Sequence, residues 1–370
     1  MNDRDLESAV VAGIISADQA AALRARGGGA VAASAVAADG TAPGGVDEEN
    51  FRLLTGFNDI FVAIAAILLL VALAWIGARL DLNGEGLVPS PLAGFLPAAA
   101  AWGLAEYFTR RRRMALPSIV LLLAFVQGMF AGIGLTVATL MESSGVNNPG
   151  DQTSALIAAL VFALTAGAAY LHWRRFRVPI TVAVGAAAAL GGAIALILSA
   201  LPDPERWFLP LLFLAGVAAF ALAMWWDGSD RERLTRRSDV AFWLHLVAAP
   251  AIAHAVFNGL GVMEGDLGVG TAIGVLALYV AFALLALAID RRALLVSGLA
   301  YVLYAMSSLF DQFGAVGLNI ALTGLVIGSA LLLLSAFWHP IRRAVVGALP
   351  GGLQQRLPVL ERSTLSPRPA

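Results

Sequence analysis

The sequence predicts an all-α polytopic membrane helix bundle of about ten transmembrane helices with both termini cytoplasmic, and three observations carry that prediction. The first is composition. Of 370 residues, 59% are hydrophobic and 13% charged, with a mean hydropathy of +0.81, where a soluble domain carries about 25% charge. The second is spacing: apolar runs of about twenty residues, the length that crosses hydrocarbon, recur along the whole chain. The third is that the arginines gather in every second loop.

Composition also excludes chemistry. The chain has no cysteine, which removes disulfides, thiolate nucleophiles and cysteine metal sites. All 24 basic residues are arginine, so neither a Schiff-base lysine nor the phosphate-gripping lysine of a P-loop is available. HExxH, a glycine-rich phosphate loop and a nucleophile elbow are all missing, and GAAAALGGA at 185–193 is a packing string. The chain is therefore read as no enzyme, with no catalytic residue, no cofactor and no metal site. Nucleic-acid binding has neither fold nor patch behind it.

Residues 1–26 read as a cytoplasmic helical hairpin in which Leu6 and Val10 share a face, Gly13 ends one helix and Ser16 with Gln19 caps the next. No secretory signal is read here, so the first span directs insertion. The string GIISADQAAALRAR at 13–26, ahead of a many-span segment, resembles the N-terminus of a broad family of uncharacterised bacterial multi-pass membrane proteins, a domain of unknown function. That resemblance implies no activity and no site residues. Residues 27–46, rich in alanine and glycine, read as a flexible linker.

The transmembrane domain is expected over 47–338, with spans at 57–79, 88–108, 115–141, 153–173, 178–199, 206–226, 240–258, 271–289, 293–310 and 314–338. Arginines at 110–113, 174, 175, 177, 231, 233, 236, 237, 291 and 292, with those of the two termini, account for 22 of the 24 on one side. Only Arg79 and Arg206 fall on the other. The positive-inside rule then puts both termini in the cytoplasm of a bacterial inner membrane. The net balance is +6 inside and −7 outside, because acidic residues are not subject to the same sorting. Trp75, Trp173, Trp207, Trp225, Trp226 and Trp338 lie at span ends as headgroup anchors. The tail, 339–370, opens with arginines and apolar residues at helical spacing and reads as a helix lying on anionic lipid.

Ten spans with both ends inside are similar in count and orientation to the drug/metabolite transporter superfamily, a likeness of topology that assigns no residue. Hairpins recur at a period of about sixty residues, which orientation sorting alone produces. Gly128, Gly132 and Thr136 in the third span, and Ala187, Gly191 and Ala195 in the fifth, are spaced four apart and mark these spans as central.

Candidate functional residues are the polar groups inside these spans. His245, His254 and Asn258 flank Pro250 in the seventh. The two histidines are nine residues apart, half a turn out of phase, so a straight helix cannot aim both at one metal. A hydrogen bond from His245 to a neighbouring helix competes with a proton relay or substrate contact, and His172 in HWRRFR reads as an interfacial residue in preference to a haem ligand. In the ninth span Ser297, Tyr301, Tyr304 and Ser308 continue to Asp311 and Gln312 as one stripe, which Asn319 and Thr323 of the tenth answer. Gln127 is expected to point inward. Glu106 and Arg110, one turn apart, read as a border salt bridge.

Two functions remain open. The first is a small-solute transporter or permease whose path is lined by the seventh, ninth and tenth spans, with a small solute as partner beside the lipid bilayer. The second is a non-transport scaffold or sensor that binds partners or lipid through its cytoplasmic ends. A cavity surrounding Tyr301, Tyr304, His245 and His254 distinguishes them.

Overall fold

A computed structural model of the chain describes Ser16 and residues 57–80, 89–146, 149–231, 233, 235–262, 268–314, 317–355 and 357–360. The expected N-terminal hairpin and linker lie outside the described residues apart from Ser16. All the described residues except Ser16 and Leu360 belong to one compact unit, 47–359.

Ten helices fill the apolar runs: α1 Phe57–Arg79, α2 Leu92–Ala105, α3 Ala115–Ser143, α4 Asp151–Phe176, α5 Ile180–Leu198, α6 Pro204–Gly228, α7 Arg236–Gly259, α8 Val269–Ile289, α9 Ala293–Gln312 and α10 Asn319–Ala336. Among the described residues nine of them are long and apolar enough to cross a membrane. The remaining one, α2, has 14 α-helical residues, or about 21 Å at 1.5 Å each. It reaches the far border by running straight into a six-residue π-helix, Glu106–Arg111. No strand occurs among the described residues, so the chain is an all-α membrane bundle.

Hydroxyls inside the helices close on their own backbone: Thr136 on the Gly132 carbonyl at 2.7 Å, Thr165 on Val161 at 2.7 Å and Ser297 on Ala293 at 2.8 Å. These groups are thus satisfied in hydrocarbon without an interhelical partner.

Small residues set the helix approaches. A Cβ added at Gly94 would sit 2.1 Å from the Gly132 backbone nitrogen, and one at Gly128 would sit 2.6 Å from the Gly94 carbonyl oxygen, so α2 and α3 touch backbone to backbone. That close approach overturns the inward expectation for Gln127. Gly128 takes the inward direction, and a residue 100° further round the helix must face out, so Gln127 is exposed.

Each hairpin joined at the arginine-rich end, α2 with α3, α4 with α5, α6 with α7 and α8 with α9, packs closely. The hub is α7, which packs on α5, α6 and α9. Half of its apolar window is buried, against 11% for α10, which is exposed on most sides.

After α10 the chain turns into α11, Trp338–Gly347, and a single turn, α12, Gly351–Gln354. Here two expectations need correcting. Trp338 is 1% exposed and anchors nothing at the headgroups, and Trp338, Arg342 and Val346 form the buried stripe of α11. The helix docks on protein because buried carboxylate answers its arginine.

Candidate functional site at the arginine-rich end

The polar residues picked out within the spans do not converge. His254 is exposed and its Nδ1 lies 2.7 Å from the Tyr301 hydroxyl, joining α7 to α9. Asn319 donates to Ser307 at 3.1 Å and to Asp311 at 2.7 Å, so α10 does meet the upper stripe. Gln312 reaches Ser308 at 3.5 Å. Tyr304 is 39% exposed, Asn258 is half-buried and the buried Thr323 hydroxyl has no hydrogen-bond partner among the described residues. Gln127 belongs to a different part of the bundle. His245 is elsewhere again, in a network that sequence reasoning missed.

That network is a buried charge latch. Asp227, in the last turn of α6, accepts from His245 Nε2 at 3.0 Å and from Arg291 at 2.6 Å and 3.3 Å. Arg291 also donates to the Ser238 carbonyl at 3.2 Å. Asp290, just past α8, accepts from Arg233 at 2.9 Å and from the Trp338 indole at 2.9 Å, and pairs with Arg342 Nε at 3.2 Å. Arg342 then holds the carbonyls of Pro358 and Val359 at 2.9 Å and 3.4 Å, while Arg231 holds Leu357 at 2.9 Å. The side chains of both aspartates, His245, Arg233, Arg291 and Arg342 are all at most 4% exposed. Burial, and then the neighbouring Arg291 charge, pull the Arg233 guanidinium below the usual arginine range against Asp290. The latch joins α6, α7, the α8–α9 turn, α11 and the chain at 357–359.

The second arginine group has the opposite character. Thr109, Arg110, Arg113, Arg177, Arg236 and Asp239 line a cavity of about 530 Å³ together with Met114, Ile119, Phe176, Val178, Ile180 and Trp243. Arginines 110, 113 and 236 thus share one end of the bundle, as the sorting of arginines requires. Arg110 is partly engaged by Glu106 at 3.3 Å, the expected border pair, which Arg175 extends at 2.6 Å and 2.9 Å. Arg113, Arg177 and Arg236 form no ion pair among the described residues. Thr109, placed by the π-helix, is buried, and its hydroxyl oxygen is enclosed with no hydrogen-bond partner among the described residues. An open cavity with excess positive charge and an apolar wall fits a ligand with an anionic head and a greasy body.

Backbone strain singles out the same residues. Four turns at this end carry a non-glycine residue in the left-handed region: Arg113 at φ 54°, Arg177 at 55°, Arg233 at 53° and Asp290 at 61°. At the other end, Gly145, Gly261, Gly314 and Gly317 fill such positions, together with Asp203. Left-handed backbone costs an L side chain about 1–2 kcal/mol. Two of the four strained residues line the cavity and two form the latch, so the side chains are what these positions keep.

His172 departs from its interfacial reading. It is 1% exposed, its ring centroid lies 4.5 Å from Phe176, 5.5 Å from Phe125 and 5.8 Å from Trp102, and neither nitrogen has a hydrogen-bond partner among the described residues. Helix period explains this: His172 continues the buried stripe of Thr165, Ala168 and Ala169, while Arg174 and Arg175 face out. The latch did leave a signal in the sequence. Asp227 in WWDG and Asp290 in AIDRR are carboxylates at helix C-termini, against the helix dipole, which asks for a buried cation.

Comparison with protein-family models, with curated proteins and with solved structures finds no match to this chain.

Proposed function

We propose that the chain is a non-transport protein of a bacterial inner membrane that binds an amphiphile with a net negative, phosphate-bearing head from the cytoplasmic leaflet in the arginine cavity and senses its presence. The observation that carries the reading is the set of three exposed arginines, Arg113, Arg177 and Arg236, around one cavity with no ion pair among the described residues. The positive-inside rule supports the side: the cavity lies at the end of the bundle that carries Arg110, Arg113, Arg177 and Arg236. Its apolar wall supports an acyl-bearing ligand over a free anion. A sensing role is supported by α7, whose Arg236, Asp239 and Trp243 line the cavity while Ser238 and His245, on the other face, belong to the latch that holds the C-terminal strap.

The test is lipid retention by native mass spectrometry, with phosphatidylglycerol, phosphatidylcholine and inorganic phosphate offered in turn. Phosphatidylglycerol is expected to be retained preferentially, and the Arg113→Gln/Arg177→Gln double variant to lose that preference. Equal retention of the two lipids overturns the reading, and saturable binding of inorganic phosphate alone replaces it with a soluble-anion site. The transport reading draws support from the exposed His254–Tyr301 pair. Cysteine labelling along α9 in this thiol-free chain decides it, since a path requires water-accessible positions at 297, 301 and 304.

A further inference from the structure

Gln127 lies twelve residues from the start of α3 and sixteen from its end. At 1.5 Å per residue these are about 18 Å and 24 Å, several times what an amide side chain can span to reach water. The side chain is exposed and finds no partner among the described residues. Exposed faces elsewhere show what lipid accepts, as on α1, where Ile64, Leu68 and Val71 point outward. A primary amide in hydrocarbon instead requires a donor and an acceptor, so this face requires protein.

We propose that α3 packs against α3 of a second copy of this chain about a twofold axis, closed by a Gln127 to Gln127 amide pair. The choice of partner follows from the group itself: an amide carries donor and acceptor together, and a twofold sets each against its complement on the other copy. The same face allows close approach. Ala131, one turn on, is exposed, and Gly134, two turns on, has nothing within 4 Å of where a Cβ would stand. The other α3 glycines of this region, Gly128 and Gly132, are taken up against α2. Leu123 and Phe130, each about two-fifths exposed, flank the seam.

The experiment uses the full chain in membranes, whose lack of cysteine makes one introduced thiol unambiguous. Ala131→Cys, with Gln127 intact, is expected to give a dimer band on oxidation at least fivefold stronger than Leu160→Cys, an exposed position on α4. Adding Gln127→Leu, which gives lipid the apolar side chain it accepts, is expected to abolish that excess and to shift photobleaching steps in nanodiscs from two to one. Cross-linking of Ala131→Cys no stronger than at Leu160→Cys overturns the proposal. So does cross-linking that survives Gln127→Leu, because the amide would then hold nothing together.

Discussion

The latch and the cavity use the same residue type at the same end of the bundle and put it to opposite use. In the latch, Arg233, Arg291 and Arg342 are buried and answered by Asp227, Asp290 and backbone carbonyls. In the cavity, Arg113, Arg177 and Arg236 are exposed, and nothing among the described residues forms an ion pair with them. A single helix serves both, since α7 turns Arg236, Asp239 and Trp243 to one side and Ser238 and His245 to the other. A guanidinium at the border of a bundle thus has two stable fates. It is desolvated and paired, and then it is structure, or it is wetted and unpaired, and then it is available to an anion.

Removing a latch carboxylate produces the largest expected effect. Asp227→Ala strands Arg291 and His245, and Asp290→Gly strands Arg233 and Arg342, even though glycine suits the left-handed backbone at 290. Breaking a buried pair from one side costs about 3–5 kcal/mol. Both variants are expected to lower the thermal unfolding midpoint sharply, and Asp290→Gly to expose the strap at 357–359 to proteolysis. Unchanged unfolding in either would make the latch decorative.

The two buried histidines sharpen the same contrast one step down. His245 donates to a carboxylate, whereas His172 sits among Trp102, Phe125 and Phe176 with both nitrogens unanswered among the described residues. An unmade hydrogen bond on a buried group costs about 1–3 kcal/mol, and one to a charged partner contributes about 1.5–3 kcal/mol. His172→Leu is therefore expected to raise the unfolding midpoint and His245→Leu to lower it, read in the same detergent. Shifts of equal sign would erase the distinction.

These differences also mark how far sequence reading reached. The ten helices were legible because hydrocarbon imposes one length and one composition on every crossing, and α1 coincides with its apolar run at 57–79. The Glu106–Arg110 pair was legible because helix spacing alone brings it together. His245 was singled out, but Asp227 was not, because their contact spans 18 residues and a turn, and a carboxylate after WW reads as loop. Arg342 and Trp338 read as lipid-facing for the same reason: their partner, Asp290, lies about fifty residues earlier in the chain. Gln127 was misread because the rule that polar groups turn inward yields when Gly128, its neighbour, has the stronger claim on the interior.

At the cavity the expected effects are on binding. An arginine near an anionic headgroup contributes about 1 kcal/mol, so Arg236→Gln is expected to weaken phosphatidylglycerol retention about fivefold with no change in unfolding. A fall in stability of latch size would mean that Arg236 belongs to the paired class.

The smallest net change in stability argued from opposing contributions falls on Arg177, where the two uses of arginine separate on one residue. Its φ of 55° costs about 1–2 kcal/mol that glycine would relieve. Against that gain stand the added freedom of a glycine in the unfolded chain, about 0.5–1 kcal/mol, and the lost stacking of Arg177 over Trp173 at 5.4 Å, worth a similar amount at an exposed site. These nearly cancel, so Arg177→Gly is expected to leave the unfolding midpoint almost where it was while lipid retention falls about fivefold. At Asp290 the same change to glycine, at nearly the same backbone angle, unfolds the latch. Strain at a turn is tolerated in both places for the sake of a side chain, and only the measurement of both stability and binding tells whether that side chain holds the protein or its ligand.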